Sequence, residues 1–140
     1  MQTLSQIYQV IQDAVKLLPT IYNIVQLPIQ NLLDETFNAK YPLANIEYIS
    51  SNNNGNEVIR TFRVHLLKVQ KQSDADLNNV LDECEIDGLT VIKQLDYTSQ
   101  TSLYNIEAGS LTPVRQFTAD YTAGVYFDVN VTELNNIDLC

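Results

Sequence analysis

The stretch Ala123-Gly-Val-Tyr-Phe-Asp-Val-Asn-Val-Thr-Glu133 constrains the fold more than any other. Val125, Phe127, Val129 and Val131 alternate with Tyr126, Asp128, Asn130 and Thr132. Period two with β-branched and aromatic residues on the apolar side is the pattern of a half-buried strand. One face of that strand has to be covered, so the rest of the chain must supply partner strands and helices.

Leu4, Ile7, Val10, Ile11, Ala14, Leu17 and Leu18 recur at helical spacing and predict an amphipathic helix over 3–18, stopped by Pro19. Val15 falls at the edge of that stripe. Residues 20–40 allow two readings. Ile21, Ile24, Val25 and Leu27 can form a short strand ending at Pro28, or Pro28 can open a short helix carrying Leu32, Leu33 and Phe37. Tyr41 to Ser50 reads as a strand after Pro42, and Val58 to Val69 as a second one with Phe62, Val64 and Leu66 on one face. Asn54-Gly55 between them is a strong turn signal, so the two form a hairpin.

Ser73-Asp-Ala-Asp76 has the form of a capping box. Leu77, Val80, Leu81, Cys84, Gly88, Val91, Ile92 and Leu95 then make one stripe, which carries a helix to about residue 96. Gly88 weakens that helix by about 1 kcal/mol relative to Ala, and close packing on the sheet is the reason to keep it there. Residues 102–107 are a candidate strand, Gly109 and Pro113 mark a loop, and the tail after Glu133 is short and polar. The expectation is one α+β domain over 1–140. It has a mainly antiparallel sheet, with the N-terminal helix and the long central helix packed on one face.

Charge narrows the function. Eight Lys and Arg stand against 17 Asp and Glu, a formal net charge of −9, which repels nucleic acid rather than binding it through phosphates. No apolar run approaches the ~20 residues of a membrane span, and the first residues lack the basic and apolar regions of a signal peptide, so an intracellular product without membrane contact is expected. Cys84 and Cys140 lie far apart with no CxxC motif, and read as idle or buried thiols in a reducing compartment.

Asp74, Asp76, Asn78, Asp82 and Glu85 place oxygens at positions 1, 3, 5, 9 and 12 of a calcium-loop pattern. Asn79 occupies the position that needs Gly, and the apolar stripe runs through the supposed loop, so a capped acidic helix explains the same residues without metal. His65, the single histidine, lies mid-strand without further His or Cys nearby, and reads as a packed strand histidine rather than a zinc ligand. Asn130-Val-Thr132 matches a glycosylation acceptor, which has no meaning without secretion. Glu83 and Asp87 read as a solvated helix face in preference to an acid–base pair. With Asp76 they form a stripe away from the apolar one, which reads as a solvated face. Catalytic, cofactor-binding and metal residues are expected to be none.

Three stretches, taken in order and spacing, resemble one family. They are the N-terminal helix leading to Tyr41-Pro-Leu-Ala-Asn-Ile46, the strand flowing into an acidic capped helix over Leu66 to Leu81, and the end. The end comprises Leu111-Thr-Pro-Val-Arg-Gln-Phe117, Asp120 to Val129 and Asn135-Asn-Ile-Asp-Leu-Cys140. The family is that of small virion proteins of tailed bacteriophages, the tail-terminator or tail-completion type. Residues 20–40 depart from its pattern. The resemblance implies a sheet flanked by helices and a homo-oligomeric ring at the head–tail junction. Long-tailed phages cap the tail tube with such rings, and short-tailed ones, including crAss-like phages, stack related rings beneath the portal. It further implies a structural protein rather than an enzyme. Its place would be the virion, after assembly in the host bacterial cytoplasm, with portal, connector or tail proteins as neighbours and DNA passing through without specific binding; on that reading the Asp76–Glu83–Asp87 stripe would line the channel instead of only solvating the helix. A small cytosolic binding module, calcium-responsive through Asp74, Asp76, Asn78 and Glu85, is the alternative.

Overall fold

The computed structural model describes residues 3–28, 40–69, 74–101, 105–115 and 122–134. Helix α1 (Leu4–Lys16) opens on a capping box in which Thr3 and Gln6 exchange side-chain-to-backbone hydrogen bonds. It is followed by β1 (Asn23–Val25), β2 (Leu43–Asn54), β3 (Glu57–Val69), helix α2 (Asp74–Thr101), β4 (Asn105–Ala108), β5 (Thr112–Val114) and β6 (Thr122–Leu134).

The fold is α+β, and the six strands form one mixed sheet in the order β1-β2-β3-β6-β4, with β5 also on β6. The expectation of a mainly antiparallel sheet is corrected here. β1 runs parallel to β2, Asn23 to Val25 lying against Leu43 to Asn45. No tight turn joins these two strands, since residues 26–42 separate them, and a separation of that length permits the parallel crossover. Of the two readings for residues 20–40, a strand stands at 23–25. The helix carrying Leu32, Leu33 and Phe37 and the Ser73 cap lie outside the described residues, as does the polar tail.

The strand 122–134 is the spine of the sheet. It pairs along its whole length with β3, and on its other side with β4 at one end and β5 at the other. Its even face carries half-buried Tyr126, Asp128, Asn130 and Thr132, while Val125, Phe127, Val129 and Val131 are buried with Phe62, Val64 and Leu66 of β3. Both helices press on this face: Ile7, Ile11, Ala14 and Val15 from α1, and Val80, Cys84, Val91 and Leu95 from α2. Val15 is fully buried rather than marginal, because it follows Ile11 by four residues on the same face. Leu17, expected on the stripe, caps the helix and is 65% exposed.

The hairpin turns at Gly55-Asn56, where Gly55 takes φ +67°, and Asn54 already pairs with Glu57. A bulge at Ile49 reverses the alternation, so that Tyr48 faces Phe62 while Ser50 faces Thr61. Residues 51–54 extend β2 beyond the expected Ser50, 105–108 form the strand expected within 102–107, and 112–114, where Pro113 marked a loop, form a further strand on β6. Gly88 sits where a Cβ would come within 2.8 Å of Leu111 and 3.4 Å of Val125, so the glycine does serve close packing.

Candidate functional site

An acid lies inside the apolar stripe of α2. Asp87 follows Cys84 by three residues and precedes Val91 by four, which turns it toward the sheet, where it is 7% exposed. There it accepts a hydrogen bond from the Tyr22 hydroxyl at 2.6 Å and stands 3.5 Å from the Lys68 ammonium. Glu83, one turn earlier, meets the same ammonium at 3.1 Å. Lys68 also lies over the Tyr22 ring, 5.8 Å from its centre. The cluster thus ties the entry to β1, the end of β3 and the middle of α2.

This arrangement corrects the solvated acidic stripe. Glu83 and Asp87 share one lysine and Asp87 is buried, so Asp76, Glu83 and Asp87 do not form a continuous charged lining. The signal was present in the sequence: an acid at an apolar-stripe position has to find a partner. Lys68, whose side chain is 13% exposed at the end of an alternating strand, was that partner.

The protonation behaviour of the cluster is that of a clamp. Burial, and then the bond to Asp87, push the Tyr22 hydroxyl far above its ordinary value. Burial pushes the Cys84 thiol up to about 11, against the opposing charge of Lys68. Burial alone lowers Lys68, but its bond to Glu83 and the charge of Asp87 outweigh that and hold the ammonium protonated. At neutral pH none of the three is a ready nucleophile or base. Asp87→Ala strands a buried hydroxyl and half of an ion cluster, and should cost about 2–3 kcal/mol in urea unfolding. Asp87→Asn, which keeps an acceptor for Tyr22, should cost less.

The calcium constellation does not converge. Asp76, Asn78, Asp82 and Glu85 ride on one continuous helix instead of wrapping a loop: Asp76 points about 200° away from Asn78, and Asn78, Asp82 and Glu85 lie in a row along one helix face, with no chain folded back to enclose an ion there among the described residues. Among the described residues no group of three or more His, Cys, Asp or Glu could hold a metal. Cys84 is buried and free, and Cys140 lies outside the described residues. Asn130 of the glycosylation pattern is mid-strand and accepts a bond from the Thr61 hydroxyl at 2.7 Å.

His65 lies on the other face of β3, 2% exposed, its ring 5.3 Å from that of Tyr126. Burial first, and then the charge of Arg63, lower it to about 4, with Asp128 pulling the other way. A histidine depressed in the folded state and near 6.5 in the unfolded one withholds stability at low pH. Its contribution is full above about pH 6.5 and declines by about 1.4 kcal/mol per unit as the pH falls toward 4. Urea midpoints of the wild type and His65→Gln, compared at pH 7 and pH 4.5, should converge as the pH falls. The comparison cancels the carboxylates common to both.

Around His65 the second sheet face carries a polar ladder. Arg63 binds both oxygens of Asp128, at 2.8 and 3.2 Å, and lies 5.0 Å over the Tyr126 ring. Asn45 exchanges two hydrogen bonds with the backbone of Leu27 and fixes the chain leaving β1. On the core face, Arg60 and Glu133 form a buried ion pair at 2.8 Å, a partnership legible in their register with Phe62 and Val131. Removing one partner of such a pair is more harmful than replacing both with apolar residues.

A groove of about 640 Å³ lies between α2 and β5. Leu81, Leu89, Leu111 and Pro113 line it together with the charged Asp82, Glu85 and Arg115. Leu89 is 53% exposed, and Ile86 (64%) and Tyr97 (62%) continue bare apolar surface along the outside of α2. No described helix is long and apolar enough to cross a membrane.

The chain matches no protein-family model, and no curated protein is significantly similar to it.

Proposed function

We propose that this chain is a structural subunit of a homo-oligomeric ring in a tailed-phage virion, at the head–tail junction or tail end. It serves there as an assembly joint and DNA conduit beside portal, connector or tail proteins. The observation that carries the reading is grouped bare apolar surface on the outside of α2, where Ile86, Leu89 and Tyr97 are each more than half exposed next to a groove lined by both apolar and charged residues. A second exposed apolar pair, Leu17 and Ile21, lies where the chain passes from α1 to β1, 65% and 86% exposed. Scattered exposed apolar residues need no explanation, but grouped ones rimmed by charge mark contact surfaces. A subunit with different contacts at its two ends builds rings when rotation closes. The motif order from Tyr41 to Asn135 adds the virion context. Net charge of −9 suits a conduit wall that must not retain DNA, although the Asp76–Glu83–Asp87 stripe is not that wall.

The test is composition of particles. Peptide mass spectrometry of gradient-purified virions should find the chain at a fixed copy number per particle. Finding it only in the host's soluble fraction would remove the reading.

A further inference from the structure

Asn79, Asp82, Ile86, Leu89, Lys93 and Asp96 are all exposed on α2, and they follow one another in steps of three and four. Steps of three and four are heptad spacing, so the six form one seam running nearly straight along the helix. It lies on the side away from Val80, Cys84, Val91 and Leu95, which pack on the sheet. The seam is apolar at its middle, where Ile86 and Leu89 stand bare, and polar or charged on both flanks. Asp82 precedes Ile86 by four residues, and Lys93, the one basic residue of α2, follows Leu89 by four. Among the described residues neither Asp82 nor Lys93 is in an ion pair, although Arg115 lines the same groove as Asp82.

Turned end for end, this seam matches itself. We propose that the free chain forms a two-fold dimer in which the α2 seams of two copies pack antiparallel, with the axis between residues 87 and 88. In that register Ile86 meets Leu89 of the second copy, Asp82 meets its Lys93, and Asn79 meets its Asp96. The two-fold repeats each pair, so the contact runs over about 26 Å of each helix. Charge selects both the occupant and its orientation. Parallel seams would set Asp82 on Asp82 and Lys93 on Lys93, which repels. Sliding the antiparallel register by one heptad would put Leu89 on Lys93 and Ile86 on Asp96, or Ile86 on Asp82 and Leu89 on Asn79. Only the proposed register joins apolar to apolar and acid to base. The dimer does not rest on the ring reading. Both use the outer face of α2, so where the ring forms, the dimer has to open first.

Sedimentation velocity and native mass spectrometry of the purified chain, from about 1 μM to 1 mM, test it. The wild type should pass from monomer to dimer in that range and grow no further, because a two-fold contact uses up the seam. Leu89→Glu, at a position more than half exposed, should keep the wild-type melting temperature and weaken the dimer at least about tenfold. Asp82→Lys and Lys93→Glu should each weaken it too, since each sets like charges together twice. Combined in one chain they should restore it. Glu85→Lys combined with Lys93→Glu should not, because exposed Glu85 lies off the seam. A wild type monomeric at about 1 mM, growth past the dimer, or a double variant no better than its singles would overturn the contact. Should Leu89→Glu unfold, the charge variants, all at exposed positions, decide. The ring is judged separately by the virions. A dimer in solution with no chain in particles removes the ring and keeps the dimer, and a chain in particles that never dimerises does the reverse.

Discussion

Gly124→Ala should abolish the native fold, with a loss of about 4 kcal/mol or more and no cooperative thermal transition. A Cβ at this position would lie 1.8 Å from the carbonyl oxygen of Leu66, 2.9 Å from its carbon and 3.1 Å from the Cα of Leu67. All three are backbone atoms of β3, so nothing can swing aside. β3 and β6 would have to part near one end of the sheet's longest pairing, where Gly124 faces Leu67. Two other glycines serve as controls. At Gly109 the nearest atom to an added Cβ is 3.5 Å away, and Ala should be tolerated. At Gly88 the added Cβ meets only the end of the Leu111 side chain, while Ala favours the helix by about 1 kcal/mol, so the two effects offset. The series should rank Gly124 far above Gly88 and Gly109 in chemical denaturation.

Phe127→Ala should cost about 3–5 kcal/mol, since its ring is fully buried between the sheet and both helices. Tyr126→Ala, one residue earlier, removes a ring contact with His65 and the Arg63 guanidinium above its face, and should cost about 1–2 kcal/mol. Equal losses at the two positions would contradict a strand buried on one side by helices. The difference is measurable as a shift of urea midpoint at constant slope.

Much of the architecture was legible because long periodic segments specify themselves. The alternation from Val125 to Val131, the hairpin around Gly55 and the stripe from Leu77 to Leu95 each fixed both an element and its buried face. Short segments did not. β1 and β5 are three residues each, too few for a period to declare itself. Pro113 also made β5 read as loop, yet on an edge strand a missing N–H is tolerated. The parallel pairing of β1 depends on where the chain returns after residue 26, which no local pattern encodes. The Tyr22–Asp87–Lys68 cluster was half legible. The position of Asp87 on the apolar stripe announced a partner, but finding it needed a contact 65 residues distant in sequence. The groove beside β5 had no sequence signal at all, because it arises where Leu111 tucks under Gly88 between two edge strands.

The account's central claim is that these subunits close into a ring, and electron microscopy of the phage particle tests it most directly. The prediction is a ring of density at the head–tail junction or tail end into which the six-stranded sheet and its two helices fit once per subunit. A particle whose junction and tail are fully accounted for by other proteins would contradict the claim.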